Sequence, residues 1–284
     1  MKIITTVGEM QAISREVRSL GKKIAFVPTM GYFHRGHVSL MEHARNYGDM
    51  VVVSLFVNPT QFGPNEDFER YPRDFERDCL LARDAGVDYL FYPSVSEMYP
   101  GGYRTDILAS GISKKFDGAK RPGHFDGVVT VVARLFNAVQ ADFSIFGQKD
   151  YQQCLVIKEM ARNLLFDTKI IVAPTVREPN GLAMSSRNVY LSPTEREEAA
   201  IINKTLNLAK EAINNGENRR ENINALMVKS LENIHSLKID YAVCADAETL
   251  EEPEIFAQGQ NIVLLIAVFF GKTRLIDNLS LCIS

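Results

Sequence analysis

The sequence predicts an α/β fold in which a doubly wound parallel sheet is followed by a smaller C-terminal α+β domain. Short apolar runs alternate with segments of helical periodicity through about residue 175. Polar, glycine-containing loops begin where three of these runs end. Beyond that point two helical segments precede three strand-like runs. We therefore predict two domains, residues 1–176 and residues 177–284.

The first part of the chain alternates between helix and strand patterns. Apolar residues at helical spacing, closed in each case by a glycine, predict helices over residues 7–20, 38–47 and 74–85. Continuous apolar runs predict buried strands over residues 24–27, 50–57, 89–92, 143–146 and 169–172. Further helices are predicted over residues 128–139 and after the polar segment 147–153. This alternation is typical of a parallel sheet with helices on both faces.

The second part of the chain begins with a predicted turn at Glu178-Pro-Asn-Gly181, which is also a candidate hinge. Ser192-Pro-Thr-Glu195 combines a capping box with proline at the first helical position, so a helix should begin there. Two helices are expected, over residues 193–214 and 221–235, and Gly216 separates them. Strands are expected over residues 239–244, 261–270 and 273–279, which completes an α+β domain.

Composition and charge exclude several classes of protein. The chain of 284 residues is 46% hydrophobic and 24% charged, an ordinary globular balance. Its net charge of −3 implies no general polyanion-binding surface, so no nucleic-acid partner is expected. No apolar run reaches membrane-spanning length and no signal-peptide pattern opens the chain, so no membrane partner is expected. The four cysteines are scattered without a CxxC pair, as is typical of reduced thiols in a cytoplasmic protein.

Three polar loops follow predicted strands, at Pro28–His37, Asn58–Gly63 and Gly147–Gln153. Ligands of doubly wound sheets bind outside the carboxyl ends of the strands. Since each loop starts at such an end, we expect the three to contribute to one binding site.

The first of these loops carries two histidines where the next helix should begin. Gly31 and Gly36 predict a tight turn, with His34 and His37 beside it. Helix N-terminal amides and the helix dipole favour phosphate, and imidazole donors would stabilise charge on a phosphoryl group. The pair could instead be structural or bind a metal. No cluster of Cys, His and carboxylates at metal-binding spacing stands nearby, so no residue is assigned as a metal ligand.

Five blocks of the sequence together resemble a known family. His34-Arg-Gly-His37 matches the HxGH signature of the nucleotidyltransferase superfamily, and Met184-Ser-Ser-Arg-Asn188 resembles the KMSKS loop of class I aminoacyl-tRNA synthetases. In content, order and spacing the set resembles the pantothenate synthetase (pantoate–β-alanine ligase) family over essentially the full chain. The blocks are Pro28–Gly31 with the HxGH motif, Phe56–Gly63, Arg121–Val128, Phe146–Asp150 and Met184–Asn188.

The resemblance implies a Rossmann-like fold of the nucleotidyltransferase type and the activity of an ATP-dependent ligase. ATP and (R)-pantoate would give pantoyl adenylate and pyrophosphate. The amine of β-alanine would then attack the acyl carbon and yield pantothenate and AMP. The resemblance also implies a requirement for Mg²⁺, a cytoplasmic location, a homodimer, and a C-terminal domain that closes over the active site.

The resemblance further implies the residues of the site. Catalytic roles would fall to His37 as proton donor or charge stabiliser, to His34 as its assistant, to Lys149 at a phosphate and to Arg187 at the departing pyrophosphate. Gln61 would contact both pantoate and β-alanine. The ATP-binding residues would be Met30, Gly31, Tyr32, Phe33, His34, Arg35, Gly36, His37, Gly147, Gln148, Lys149, Asp150, Val176, Met184, Ser185, Ser186 and Arg187, and Gln153 would be a second pantoate-binding residue.

Two of these assignments have a more specific form. The backbone of Val176 would contact adenine, and Asp150 would accept a hydrogen bond from the ribose. One position departs from the usual family pattern in charge, since Arg35 stands where an acidic residue is frequent. That change could alter the potential near the phosphates and hence the affinity for ATP.

Each assignment has an ordinary alternative. Lys149 and Asp150 could be a solvated helix start, Ser185-Ser186 could serve only as turn residues, and Gln61 and Gln153 could be surface amides. Amides nevertheless suit pantoate, because they offer donors and an acceptor without adding charge beside the reacting carboxylate.

The long segment Tyr99–Gly127 is predicted as an excursion over the edge of the sheet. Loops of this length in compact domains are usually functional or mobile. Within it, Arg121 and His124 could belong to a solvated surface. The sharper hypothesis is a flap that keeps water from the acyl adenylate.

Other functions compete with the ligase. A nucleotidyltransferase acting on a phosphorylated alcohol would share the HxGH motif but not Gln61, Gln153 and the Arg121–Val128 block. A tRNA-charging enzyme would be longer and more basic. A non-catalytic nucleotide-binding module would be expected to lack His37, Lys149 or Arg187, all of which are present.

Overall fold

The computed structural model describes residues 1–64 and 66–283 and divides into two compact units. The first unit comprises Met1–Gln148 and Gln152–Pro174. The second comprises Lys149–Tyr151 and Thr175–Ser284.

The first unit is built on a parallel sheet of six strands in the order β1-β4-β3-β2-β5-β6, which confirms the predicted doubly wound architecture. The chain places β3 and β4 on one side of β2, then returns to place β5 and β6 on the other, so the order reverses at β2. The strands are β1 (Lys2–Ile4), β2 (Ile24–Thr29), β3 (Met50–Leu55), β4 (Tyr89–Phe91), β5 (Phe143–Gly147) and β6 (Lys169–Ala173).

Helices cover both faces of this sheet, and each face has its own apolar cluster. Phe26 and Val52 pack in one cluster, whereas their neighbours Val27 and Val53 pack in the other, because successive strand residues point to opposite faces. The helices are α1 (Val7–Ser19), α2 (Arg35–Ala44), α3 (Phe75–Asp84), α4 (Val95–Met98), α5 (Phe116–Lys120), α6 (His124–Val139) and α7 (Tyr151–Asn163), whose first residue groups with the second unit.

Several predicted boundaries in the first unit were wrong. The segment Tyr99–Gly127, predicted as a loop, contains a 3-10 turn at Gly111–Lys114 and helix α5, and α6 begins at His124 rather than at residue 128. Gly123 permits this earlier start, because it caps α6 in the left-handed region with φ of 82°. The polar loop after β3 holds a 3-10 turn at Pro59–Gln61, where proline at the first position needs no amide partner.

The second unit is the predicted α+β domain, with an antiparallel sheet of three strands in the order β7-β8-β9. These strands are β7 (Leu237–Asp246), β8 (Asn261–Phe270) and β9 (Thr273–Cys282). The capping box predicted at Ser192 is present, but the expected helix over residues 193–214 is interrupted near Ala199. The helices of this unit are α8 (Pro193–Glu198), α9 (Ile201–Asn214) and α10 (Arg220–Leu231), with a 3-10 helix at Ser186–Tyr190.

Each unit encloses its own apolar core. In the second unit Leu206, Met227 and Leu264 are fully buried in one cluster. Across residues 1–64 and 66–283, the helices are all too short or too polar to traverse a lipid bilayer.

Candidate active site

The three polar loops predicted to form a site begin where the central strands of the first unit end. β2 pairs in parallel with both β3 and β5, so the residues that follow these strands leave the same edge of the sheet. The loops that begin near Pro28, Asn58 and Gly147 follow these three strands. This is the edge at which doubly wound folds bind ligands.

A buried carboxylate shapes the turn between β2 and α2. Gly31 and Tyr32 both adopt the left-handed region, with φ of 85° and 51°. The side chain of Asp78, on α3, accepts hydrogen bonds of 2.6 Å from the backbone amides of Tyr32 and Phe33. Burial raises the pKa of Asp78, while those two amides act in the opposite direction. The turn is therefore held by a residue of another helix.

The two histidines of this turn cap the start of α2. Nδ1 of His34 accepts the backbone amide of Gly36 at 3.1 Å, and Nδ1 of His37 accepts the amide of His34 at 3.3 Å. Because an amide always donates, both Nδ1 atoms are acceptors, and each neutral ring carries its proton on Nε2. The two rings lie 4.1 Å apart between centroids. The helix start thus carries two Nε2–H donors close together.

Arg35 follows His34 but is exposed. Its guanidinium forms an ion pair of 2.7 Å with Glu42 on the same helix. The neighbouring carboxylate offsets the positive charge that the sequence places next to the histidines.

Gln61 is buried in the 3-10 turn after β3, which contradicts the alternative that it is a surface amide. Its Oε1 accepts from Nδ2 of Asn58 at 3.2 Å, and its Nε2 lies 3.1 Å from the sulfur of Met30. Asn58 is oriented in turn by Tyr99, whose hydroxyl donates to Oδ1 at 2.8 Å. These contacts orient the amide of Gln61 so that its nitrogen faces the turn between β2 and α2, which carries His34 and His37 and is called the histidine turn below.

Arg121 and His124 do not form a solvated surface, so that alternative was wrong. Arg121 forms a two-pronged ion pair with Glu66, with distances of 2.6 and 2.7 Å. His124 is partly buried at the start of α6, and its Nδ1 lies 2.8 Å from the carbonyl oxygen of Gln61. His124 therefore contacts the backbone of the Gln61 turn, and Arg121 is tied to Glu66, in the segment that follows this turn.

The segment after β5 contributes further predicted residues to the first unit. The backbone amide of Gln148 donates to the carbonyl of Ala173 at 2.8 Å, which continues the pairing of β5 with β6. Gly147 accepts a bond from the thiol of Cys154 at 3.3 Å. Gln153 is partly buried on the first turn of α7.

Lys149 and Asp150 group with the second unit. The Lys149 ammonium lies 3.8 Å from the Asp150 carboxylate, and only 20% of the Lys149 side chain is exposed. Its carbonyl accepts a bond of 2.9 Å from Nδ2 of Asn278, on β9. A lysine so enclosed differs from the solvated helix start that the sequence also allowed.

The remaining predicted residues of the second unit form one loop. The amide of Met184 donates to the carbonyl of Val176 at 3.0 Å, and Oγ of Ser185 accepts the amide of Arg187 at 3.2 Å. Ser186 is buried, and Arg187 is partly buried. Val176 and Met184 are thus held side by side.

Two networks that were not predicted hold this loop in place. Arg177 forms a two-pronged pair with the buried carboxylate of Asp277 on β9. The carboxylate of Glu178 accepts bonds from Asn188 at 2.8 Å and from Arg196 at 2.7 Å. Arg177 precedes, and Glu178 begins, the turn that the sequence suggested as a hinge.

The roles of Asn58, Glu66 and Asp78 in the first unit were not predicted from the sequence. Asp78 lies more than 40 residues from the turn that it holds, and Glu66 lies 55 residues from Arg121. Only the position of Asn58, directly before a proline at a strand end, offered a sequence signal for its role. Within the part of the chain that the structure describes, no group of three or more His, Cys, Asp and Glu side chains is arranged to hold a metal ion.

Comparison with known proteins identifies the family. The family model described as pantoate-beta-alanine ligase matches residues 2–280. The pantothenate synthetase of Thermotoga petrophila is 51% identical over 98% of this chain and 99% of its own, and that of Acetivibrio thermocellus is 51% identical over 98% of each.

Solved structures agree with these relatives. The pantothenate synthetase of Thermus thermophilus superposes with a TM-score of 0.91 at 44% identity, over 98% of this chain and 99% of that one. The pantoate-beta-alanine ligase of Francisella tularensis, solved with β,γ-ATP and β-alanine, superposes with a TM-score of 0.79 at 34% identity, over 98% and 97% of the chains. From its Rossmann-like sheet to its C-terminal α+β unit, the chain belongs to the pantoate–β-alanine ligase family.

Proposed function

We propose that this chain condenses (R)-pantoate with β-alanine at the expense of ATP, giving pantothenate, AMP and pyrophosphate through a pantoyl adenylate. The observation that carries the proposal is the histidine turn, where two imidazoles present Nε2–H donors and Met30 contacts the buried amide of Gln61. The turn that carries donors for a phosphate is thereby in contact with an amide that suits a hydroxy acid. Membership of the ligase family supports the same activity.

The first step brings two anions together. A carboxylate oxygen of pantoate attacks the α-phosphorus of ATP, and pyrophosphate leaves with the electrons of the broken P–O bond. Neutral donors from His34 and His37 would stabilise the charge on the phosphoryl oxygens, each by about 3 kcal/mol if they act as oxyanion-hole donors do. In the second step the amine of β-alanine attacks the acyl carbon, loses a proton, and displaces AMP.

The other roles follow the assignments made from the sequence. Gln61 and Gln153 would bind pantoate, and Gln61 would also meet β-alanine. In the second unit, the enclosed ammonium of Lys149 would bind a phosphate and Arg187 the pyrophosphate. Asp150 and Val176 would meet the ribose and adenine of ATP.

Magnesium, the oligomeric state and the location belong to the same proposal. Because the described residues contain no ready-made cluster of metal ligands, we assign Mg²⁺ to the phosphate oxygens of bound ATP rather than to a protein cage. The ion would neutralise phosphate charge.

We also propose a homodimer in the cytoplasm. Light scattering would contradict the dimer if the mass stayed near 31.9 kDa at micromolar concentration.

Exchange of labelled pyrophosphate into ATP tests the first step alone. With MgATP, (R)-pantoate and no β-alanine, exchange should occur, and it should stop when pantoate is omitted. Exchange that ignores pantoate, or that needs a phosphorylated alcohol, would favour another nucleotidyltransferase.

One substitution connects this activity to the histidine turn. His37→Ala should lower the exchange rate at least a hundredfold, since removing one preorganised donor typically costs about 10²–10³ in rate. His43→Ala is the matched control, because His43 lies in the last turn of the same helix and packs on Tyr47. Near-normal exchange in His37→Ala would remove His37 from the mechanism.

A further inference from the structure

The segment Arg121–Gly127 packs directly on the turn that carries Gln61. A Cβ atom added to Gly127 would lie 2.4 Å from the carbonyl oxygen of Thr60. The carbonyl of Gly127 also accepts a bond from Nδ2 of Asn58 at 3.2 Å. Both contacts join the first turn of α6 to the turn after β3.

Arg121 determines which ring nitrogen of His124 carries the proton. A guanidinium donates and cannot accept, so its contact of 2.8 Å with Nε2 of His124 makes Nε2 the acceptor. The proton then lies on Nδ1, which is 2.8 Å from the carbonyl oxygen of Gln61. Glu66 holds Arg121 through both prongs of the ion pair described above. A continuous chain of contacts therefore runs from Glu66 to the backbone of Gln61.

The surroundings of His124 keep the ring in this neutral form. Burial, reinforced by the Arg121 guanidinium, lowers the pKa of His124 to about 4. Nδ1 is consequently a donor and Nε2 an acceptor at every pH near neutrality.

We propose that His124 is a positioning residue for the hydroxy-acid substrate. Its Nδ1–H fixes the backbone of Gln61, so that the side-chain amide of Gln61 is presented to pantoate in one orientation. The inference rests on the proposed function, which assigns Gln61 to pantoate. It predicts that a change at His124 weakens the binding of pantoate and leaves the binding of ATP nearly unchanged.

Two substitutions separate the ring nitrogens of His124. In His124→Asn the amide nitrogen takes about the place of Nδ1 and still donates to Gln61. In His124→Gln the longer amide takes about the place of Nε2, so only the contact with Arg121 survives. We expect the KM for pantoate in pyrophosphate exchange to rise about tenfold or more in His124→Gln, as for one lost buried hydrogen bond. The rise should be several-fold smaller in His124→Asn, and the KM for ATP should change little in either variant.

Thr130→Val is the matched control for a general loss of stability. Thr130 is buried on the same helix, but its hydroxyl accepts the amide of Ile107 at 2.9 Å. This variant should melt at a lower temperature while its KM for pantoate stays at the wild-type value.

Equal KM values for pantoate in folded His124→Asn and His124→Gln would overturn the inference, and so would an equal rise in the KM for ATP. If His124→Gln does not fold, Gly127→Ala provides the second test, since its methyl group displaces the same turn at Thr60. An unchanged KM for pantoate in that variant would also overturn it. Wild-type protein without pantoate-dependent exchange would contradict the proposed function, and the inference with it.

Discussion

At the scale of single residues, hydrogen-bond partners decide what a histidine can do. His34 and His37 accept backbone amides at Nδ1, so the proton of each neutral ring lies on Nε2. In His124 the guanidinium of Arg121 reverses this arrangement and leaves Nδ1–H to bind a carbonyl. The residue type is visible in a sequence, whereas the tautomer depends on contacts made by folding.

The stability of the protein is expected to depend on pH through His124. Burial and Arg121 lower its pKa from the ordinary 6.5 to about 4, and Glu66 and Asp117 also face the ring. Between these pH values the unfolded chain binds a proton that the folded chain excludes. Stability falls as pH falls wherever the unfolded state binds more protons. The free energy of unfolding should therefore decrease from about pH 6.5 toward pH 4, by up to about 3 kcal/mol.

Urea denaturation at several pH values would measure this effect. His124→Asn has no titrating ring, so its stability should decline less steeply than that of the wild type over the same interval. Because the pKa of Glu66 is lowered, its contribution is lost only at pH values below its ordinary 4.5. Parallel stability profiles for the two proteins would show that His124 does not titrate as described.

At the scale of elements, the turn between β2 and α2 depends on α3. Asp78 is 1% exposed and binds two consecutive amides of a turn in which Tyr32, a residue with a side chain, adopts the left-handed conformation that such residues disfavour. The start of α2, and with it the histidine pair, is positioned by this carboxylate. A change on α3 should consequently alter the position of His34 and His37, which we propose to bind phosphate.

Asp78→Asn tests this dependence. An amide can accept only one of the two backbone bonds and presents an NH₂ group to the other, so we expect a loss of about 1–3 kcal/mol in stability. The KM for ATP in pyrophosphate exchange should rise severalfold as the turn shifts. Asp142→Asn is the control, because Asp142 likewise accepts a backbone amide, that of Ile24, at 2.9 Å, next to the start of β5. A KM for ATP that responds equally to both substitutions would contradict the role of Asp78.

At the scale of the whole molecule, the sequence predicted the sheet and the second unit because their strands have continuous or alternating apolar patterns. It missed β1, since Lys2–Ile4 has only three residues and one buried side chain. It also started α6 four residues late, because the residues before Val128 are mostly polar or glycine and the cap is a left-handed glycine. Local patterns were sufficient where burial is periodic and insufficient where a cap decides the boundary.

For the candidate site, the sequence predicted the residue blocks but not the contacts that hold them in place. The blocks around His37, Gln61, Lys149 and Arg187 could be recognised in the sequence, since each is a compact run of characteristic residues. Their supports could not, because Asp78 and Arg177 act on partners 45 and 100 residues away. Such contacts arise from tertiary packing, which leaves no periodic signal along the chain.

The separate cores of the two units lead to a final prediction. Leu264 on β8 is fully buried in the core of the second unit, and Val53 on β3 is fully buried in the first. Leu264→Ala should cost about 2–5 kcal/mol, so amide hydrogen exchange in β7–β9 should accelerate about 30-fold or more. Val53→Ala should instead accelerate exchange in β2, β3 and β5. If either substitution accelerated hydrogen exchange in both sheets equally, the two cores would unfold as one cooperative unit and the prediction would be wrong. Opening free energies differ only between regions that unfold independently.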